Sequence, residues 1–145
     1  MFKRNRFLTN KEEEAVVEAI RTAEKNTSGE IRVHLEKKTS IAPMDRAVEV
    51  FHLLEMNNTK DANGVLIYVA IDDKKFAICG DKGINERVPA DFWESTKNLM
   101  ANHFKNGNFK QGLVDGILKA GEQLQTYFPY QDDDKNELPD TISIG

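Results

Sequence analysis

The sequence predicts an α/β fold: a three-layer α/β/α sandwich whose small mixed sheet carries helices on both faces. Three observations lead there. Apolar residues recur at helical spacing around Val16–Ala23, Met44–Leu54, Phe92–Phe104 and Leu113–Tyr127. Residues Glu30–Glu36 alternate strictly between polar and apolar. Val65–Ile71 is continuously apolar, and a short polar turn separates it from a second strand-like run, Lys75–Cys79.

Each element has a local reason. Thr9-Asn10-Lys11-Glu12 fits a capping box, in which threonine and glutamate side chains satisfy each other's backbone amides at a helix start. Val16, Val17, Ile20 and Ala23 follow on one helix face, and Asn26-Thr27-Ser28-Gly29 stops the helix. The alternation of the next segment places Ile31, Val33 and Leu35 on one strand face. Glu30, Arg32, His34 and Glu36 take the other, which is expected to be wet. After the Thr39–Pro43 loop, Met44, Ala47, Val48, Phe51 and Leu54 form a second helical stripe, closed by the turn residues of Asn57–Gly64.

Val65–Ile71 is short, rich in β-branched residues and apolar on both sides, as a central strand covered on both faces must be. Asp72-Asp73-Lys74 reads as a hairpin tip leading into Lys75–Cys79. Gly80–Glu86 reads as a glycine-bracketed loop. Pro89 is expected to open a third helix with Phe92, Trp93, Thr96, Met100 and Phe104 inward, ended by Asn106-Gly107-Asn108. A fourth helix carries Leu113, Val114, Ile117, Leu118, Leu124 and Tyr127. The order α-β-α-β-β-α-α makes the first two strands parallel through a right-handed crossover and the third antiparallel. Residues 1–130 then form one domain, and the polar, acidic 131–145 a flexible tail.

Composition narrows the function. At 145 residues the chain suits one core. With 39% hydrophobic and 30% charged residues it is too apolar for a disordered chain and too polar for a membrane protein. No apolar run approaches the roughly 20 residues of a spanning helix. The basic start Met1–Arg6 is followed by Glu12-Glu13-Glu14 rather than an apolar stretch, so no secretory signal is read and a cytoplasmic monomer is expected. A net charge of −4 with no basic stripe argues against nucleic acid. The single cysteine, Cys79, excludes an internal disulfide and a thiolate metal cage, and its apolar setting makes it a core residue.

Chemistry is sought where loops converge. Glu30, Asp61, Asn63, Gly80, Asp81, Gly83 and Glu86 collect at one end of the sheet. Carboxylates, amide oxygens and carbonyls on glycine-rich loops suit a hard cation, calcium or magnesium. The same residue types also simply make turns, and the spacing is not that of an EF-hand. At the carboxyl edge of the parallel strands, where open α/β sheets usually bind ligands, stand Thr39, Ser40, Asp72 and Asp73, which are also ordinary hairpin residues. His34, His52 and His103 lie on three different elements without metal-ligand spacing. No nucleophile elbow or P-loop is present.

Ser28-Gly29-Glu30-Ile31-Arg32-Val33, Asn63-Gly64 before the apolar strand, Asp72-Asp73-Lys74-Lys75, the Gly80–Glu86 segment and the later Phe104–Leu113 together resemble the TPM domain. That family includes plant thylakoid-lumen photosystem II repair proteins and many bacterial proteins. The resemblance covers residues 9–128 and implies a Rossmann-like α/β/α sandwich. For some members it implies divalent-cation binding and acid-phosphatase activity; for this chain the leading expectation is a soluble cation-binding module acting in protein maintenance or stress response. Carried over, it makes Asn63, Gly80, Gly83 and Glu86 site candidates, with Asp72 and Asp73 on the hairpin. The expected metal set is therefore Glu30, Asp61, Asn63, Asp81, Glu86, Asp72 and Asp73, holding calcium or magnesium weakly. If the domain is a metal-dependent phosphatase, Glu86 is the expected catalytic carboxylate.

Overall fold

Helix α1 (Asn10–Glu24) begins at the capping box seen in the sequence: the Thr9 hydroxyl accepts from the Glu12 amide at 3.1 Å, and the Glu12 carboxylate accepts from the Thr9 amide at 3.0 Å. The chain continues through β1 (Glu30–Glu36), α2 (Pro43–Leu53), β2 (Gly64–Ala70), β3 (Lys75–Gly80), α3 (Lys82–Arg87), α4 (Glu94–Lys105), α5 (Phe109–Leu124) and β4 (Ser143–Ile144). This is a computed structural model, and it describes residues 7–131 and 138–145.

The sheet order is β3-β2-β1-β4. β1 and β2 are parallel from Glu30 opposite Gly64 to Glu36 opposite Ala70, and β2 and β3 form the expected antiparallel hairpin. One face packs Ile31, Val33, Leu35, Val65, Ile67 and Val69 into a core with α1, α4 and α5. The other packs Leu66, Tyr68, Ala70, Ala77 and Cys79 under α2. The three-layer sandwich and its mixed sheet are thus as the periodicities required. Cys79 is buried in the second layer, and burial, reinforced by the nearby Asp81 charge, pushes its thiol up to about 11.

Four expectations change. The face of β1 bearing Glu30, His34 and Glu36 is not wet: these residues are 4%, 5% and 6% exposed. It lies beneath α2 and the chain's last segment, so its polar groups bond to protein instead of water. The second change is that last segment. Leu138 is buried, β4 adds to the edge of β1 in parallel, and the Gly145 amide donates to the Leu35 carbonyl. A flexible tail from 131 onward therefore does not describe 138–145, because Leu138 and the free edge of β1 supply apolar contact and hydrogen bonds that the acidic composition does not reveal. Asp132–Asp134 fall outside the described residues.

Third, the segment after Gly80 is a helix, not a loop. Asp81 caps α3 by accepting from the Lys82 amide at 2.7 Å, and Ile84 is its buried anchor. Fourth, Pro89 opens a turn, closed by the Phe92 amide on the Pro89 carbonyl, and α4 starts only at Glu94. Phe92 is buried in that turn, and Thr96 and Met100 in the helix.

Candidate functional site

The end of the sheet where β1 and β2 begin and β3 finishes is built from backbone pairing. The Glu30 amide donates to the Asn63 carbonyl, and the Asp81 amide donates to the Gly64 carbonyl. These two bonds bring Asn63 and Asp81 to one rim. Asn63 is 2% exposed; its Nδ2 donates to the Ser28 carbonyl at 2.9 Å, while its Oδ1 is buried without a partner. Asp81 repeats the pattern: Oδ1 caps α3 and Oδ2 is buried without a partner. A buried polar oxygen left unpaired costs on the order of 1–3 kcal/mol, so two at one rim call for an explanation.

The main chain adds oxygens. Ala62 holds a φ of 51°, in the left-handed region. A Cβ placed on Gly83 would fall 2.5 Å from the carbonyl oxygens of both Asp61 and Ala62. Only glycine lets the first turn of α3 lie against those carbonyls.

The other expected ligands are elsewhere. Glu30 is buried, and its Oε1 accepts the Leu138 amide at 2.6 Å. The Asp61 and Glu86 side chains are exposed, Glu86 on α3 rather than on a mobile loop. Asp72 and Asp73 occupy the opposite end: Asp73 Oδ2 accepts the Thr39 amide at 2.9 Å, and Asp72 approaches Lys37 at 3.9 Å. Among the described residues no three His, Cys, Asp or Glu side chains gather closely enough to hold a metal ion.

Two polar centres escaped the sequence reading. In the first, Glu36 accepts from Arg46 Nε at 2.9 Å and Nη2 at 3.2 Å, from the Tyr68 hydroxyl, and from His34 Nε2 at 3.1 Å. Burial alone would raise the Glu36 carboxyl, but these donors outweigh it and hold it at about 2. Burial lowers His34, so its ring is neutral, with Nε2–H on Glu36 and Nδ1 facing the Ser143 hydroxyl at 2.8 Å. The hydrogen bonds to Glu36 and Glu49 raise Arg46. In the second centre, burial and a hydrogen bond with Asp140 push Glu24 up to about 9, while its Oε2 accepts the Ile31 amide at 3.0 Å. Glu24 is therefore protonated at neutral pH, and Asp140 also faces Arg21 at 3.6 Å. Neither centre has a sequence signature, because each joins residues more than a hundred positions apart. His103 meets Asp115 at 2.9 Å and His52 bonds the Val48 carbonyl, both as local tethers.

A four-stranded mixed sheet, helices on both faces and an oxygen-bearing rim at the strand starts define a small α/β-sandwich domain. The TPM domain family model matches residues 1–123, and the chain belongs to that family. It is similar over its full length to the BA42 protein of the psychrophilic bacterium Bizionia argentinensis, at 63% identity with all of both chains covered and a TM-score of 0.92. The N-terminal domain of a Porphyromonas gingivalis protein shares the fold at 20% identity, covering 86% of this chain and 82% of that one, with a TM-score of 0.70. So does the N-terminal domain of a Corynebacterium glutamicum protein, at 10% identity, covering 86% and 78%, with a TM-score of 0.66. Comparison with curated proteins gives no significant match. Among the described residues no helix is long and apolar enough to cross a membrane.

Proposed function

We propose that this TPM domain binds a divalent cation, calcium or magnesium, weakly through loop oxygens where β2 begins and β3 ends. The observation that carries the reading is the pair of buried, unpartnered oxygens, Asn63 Oδ1 and Asp81 Oδ2, at one rim. Hard cations take this donor set of carboxylate, amide and carbonyl oxygens. With Asp81 as the one rim carboxylate, affinity belongs at the weak end of protein calcium sites, about 10⁻⁴–10⁻³ M. The Asp61 and Ala62 carbonyls, which abut Gly83, would be the backbone donors of this reading. Glu30 is excluded from the set by its bond to Leu138.

The test is an amide-shift titration with calcium and with magnesium. Residues 61–64 and 80–84 should move in fast exchange. Asp81→Asn keeps a good helix cap, since asparagine and aspartate cap equally well. It removes the charge, and should weaken binding by about tenfold. Movement of residues 72–74 instead, or of none, overturns the reading. Metal-assisted phosphate hydrolysis has less support at this rim. A phosphate needs fixed cations, yet the Arg87 guanidinium lies 4.7 Å over the Phe128 ring.

A further inference from the structure

An apolar concavity lies at the other end of the sheet. A groove of about 430 Å³ runs between the β2–β3 hairpin and the corner joining α4 to α5. One wall is Val69, Ile71 and Phe76; the facing wall is Ala101, Phe104 and Phe109. The aromatic walls are held in place: Phe104 meets Phe76 edge-on with ring centroids 5.3 Å apart, and Phe109 at the same distance. Gly112 makes room for this, since a Cβ there would come within 2.5 Å of the Phe104 ring.

Two cations stand at the mouth, Lys74 and Lys105. Neither is in an ion pair among the described residues. The hairpin's own acids are turned to other work, Asp73 on the Thr39 amide and Asp72 toward Lys37. Lys74 takes a left-handed φ of 55°, and its amide closes the turn on the Ile71 carbonyl. The groove thus pairs an apolar body with an unneutralised positive rim, and its volume falls in the range of small-molecule sites.

We propose that this groove binds a small apolar molecule with one anionic end, of the class of medium-chain carboxylates. The chain lies along the groove against its aromatic lining, excluding water from Phe76, Phe104 and Phe109, and the carboxylate sits between the two ammonium groups. A neutral molecule of the same shape gains only the first term, and a cationic one meets repulsion.

The probe is decanoate, kept below its micellar concentration and titrated into the whole chain, with amide shifts as the readout. Decanol and decyltrimethylammonium are the neutral and cationic controls. Amides in 69–76 and 101–109 should move, with decanoate binding about tenfold more tightly than decanol, the scale of two solvent-screened charge contacts. The double variant K74E/K105E should erase that difference. Ala101 is exposed on α4, so Ala101→Trp fills the groove without disturbing the core and should abolish binding at an unchanged melting temperature. Equal binding of decanoate and decanol, equal binding of the cationic control, or no shifts in these segments overturns the proposal. So does a shift pattern that follows protein concentration rather than decanoate, which would make a second copy the occupant. A peptide ending in an apolar residue that moves these amides when decanoate does not would overturn it in favour of a protein partner.

Discussion

On the face that packs against α1, α4 and α5, β1 contributes Ile31, Val33 and Leu35, all 0% exposed. On the face under α2 the same strand contributes Glu30, Arg32, His34 and Glu36, and three of these four are about as buried as the aliphatics. The first face needs no particular partners: any apolar cover of the right shape removes it from water. The second tolerates burial because Glu30, His34 and Glu36 each have specific donors or acceptors, and those come from α2, β2 and the last eight residues, while Arg32 Nε is buried without one. Loss of a cover should therefore cost more on the polar face than a misfit does on the apolar one.

The largest effect should come from ending the chain at Gln131. That removes Leu138, worth about 2 kcal/mol of burial. It strips the Glu30 carboxylate of the Leu138 amide and His34 of Ser143, at roughly 1–3 kcal/mol for stranded buried groups. The melting temperature should fall by roughly 10 °C or more. An unchanged value would mean that the segment rests on the domain without supporting it, and the contrast between the faces would collapse.

The apolar face should respond on a smaller scale and to shape alone. A Cβ on Gly121 would lie 2.7 Å from the Ala23 Cβ and 3.0 Å from its Cα, where α1 and α5 touch. Gly121→Ala should cost about 1–3 kcal/mol, because a helix backbone cannot give way. Gly116→Ala meets first the Met100 side chain, at 2.6 Å, and an unbranched thioether repacks more readily than a helix backbone. Chemical denaturation of the two variants should rank Gly121→Ala the more damaging; equal losses would show that the helices accommodate both.

The most gradual effects are pH slopes of opposite sign at the two polar centres. Glu36 is held at about 2, below the ordinary carboxylate range. Its contribution is full above that range and is lost as pH falls toward 2. Glu24 is raised to about 9. The folded chain keeps a proton that the unfolded chain releases, so this contribution is full below the carboxylate range and fades as pH rises toward 9. Melting temperature against pH should show both limbs. Glu36→Gln should flatten the acid limb alone and Glu24→Gln the alkaline limb alone; a variant that flattened both would show that the two centres are coupled through β1.

The rim and the groove differ in how far they could be foreseen. Asn63 and Asp81 are turn and cap residues, and the sequence alone justified naming them among seven candidates without choosing between them. Their shared rim follows from the pairing of β2 with β3. Glu30 and Glu86 looked equivalent in the chain and are not: one is tied to Leu138 and the other rides outward on α3. The groove was hidden because Val69, Phe76 and Phe104 read as core at their own spacing, and only packing shows that their side chains leave a groove open beside them.

By itself, the sequence determined the capped first helix, the parallel central pair, the hairpin and the apolar layer, because period and local turn chemistry act over a few residues at a time. The tertiary structure decided what covers the polar side of β1. A strand of alternating charge reads as half-solvated unless something distant fits over it. Here the cover is Arg46 on α2, Tyr68 on β2, and the Leu138 amide and Ser143 hydroxyl more than a hundred residues downstream. Satisfying a buried carboxylate depends on geometry in three dimensions and not on spacing along the chain, so no pattern within β1 could have announced it.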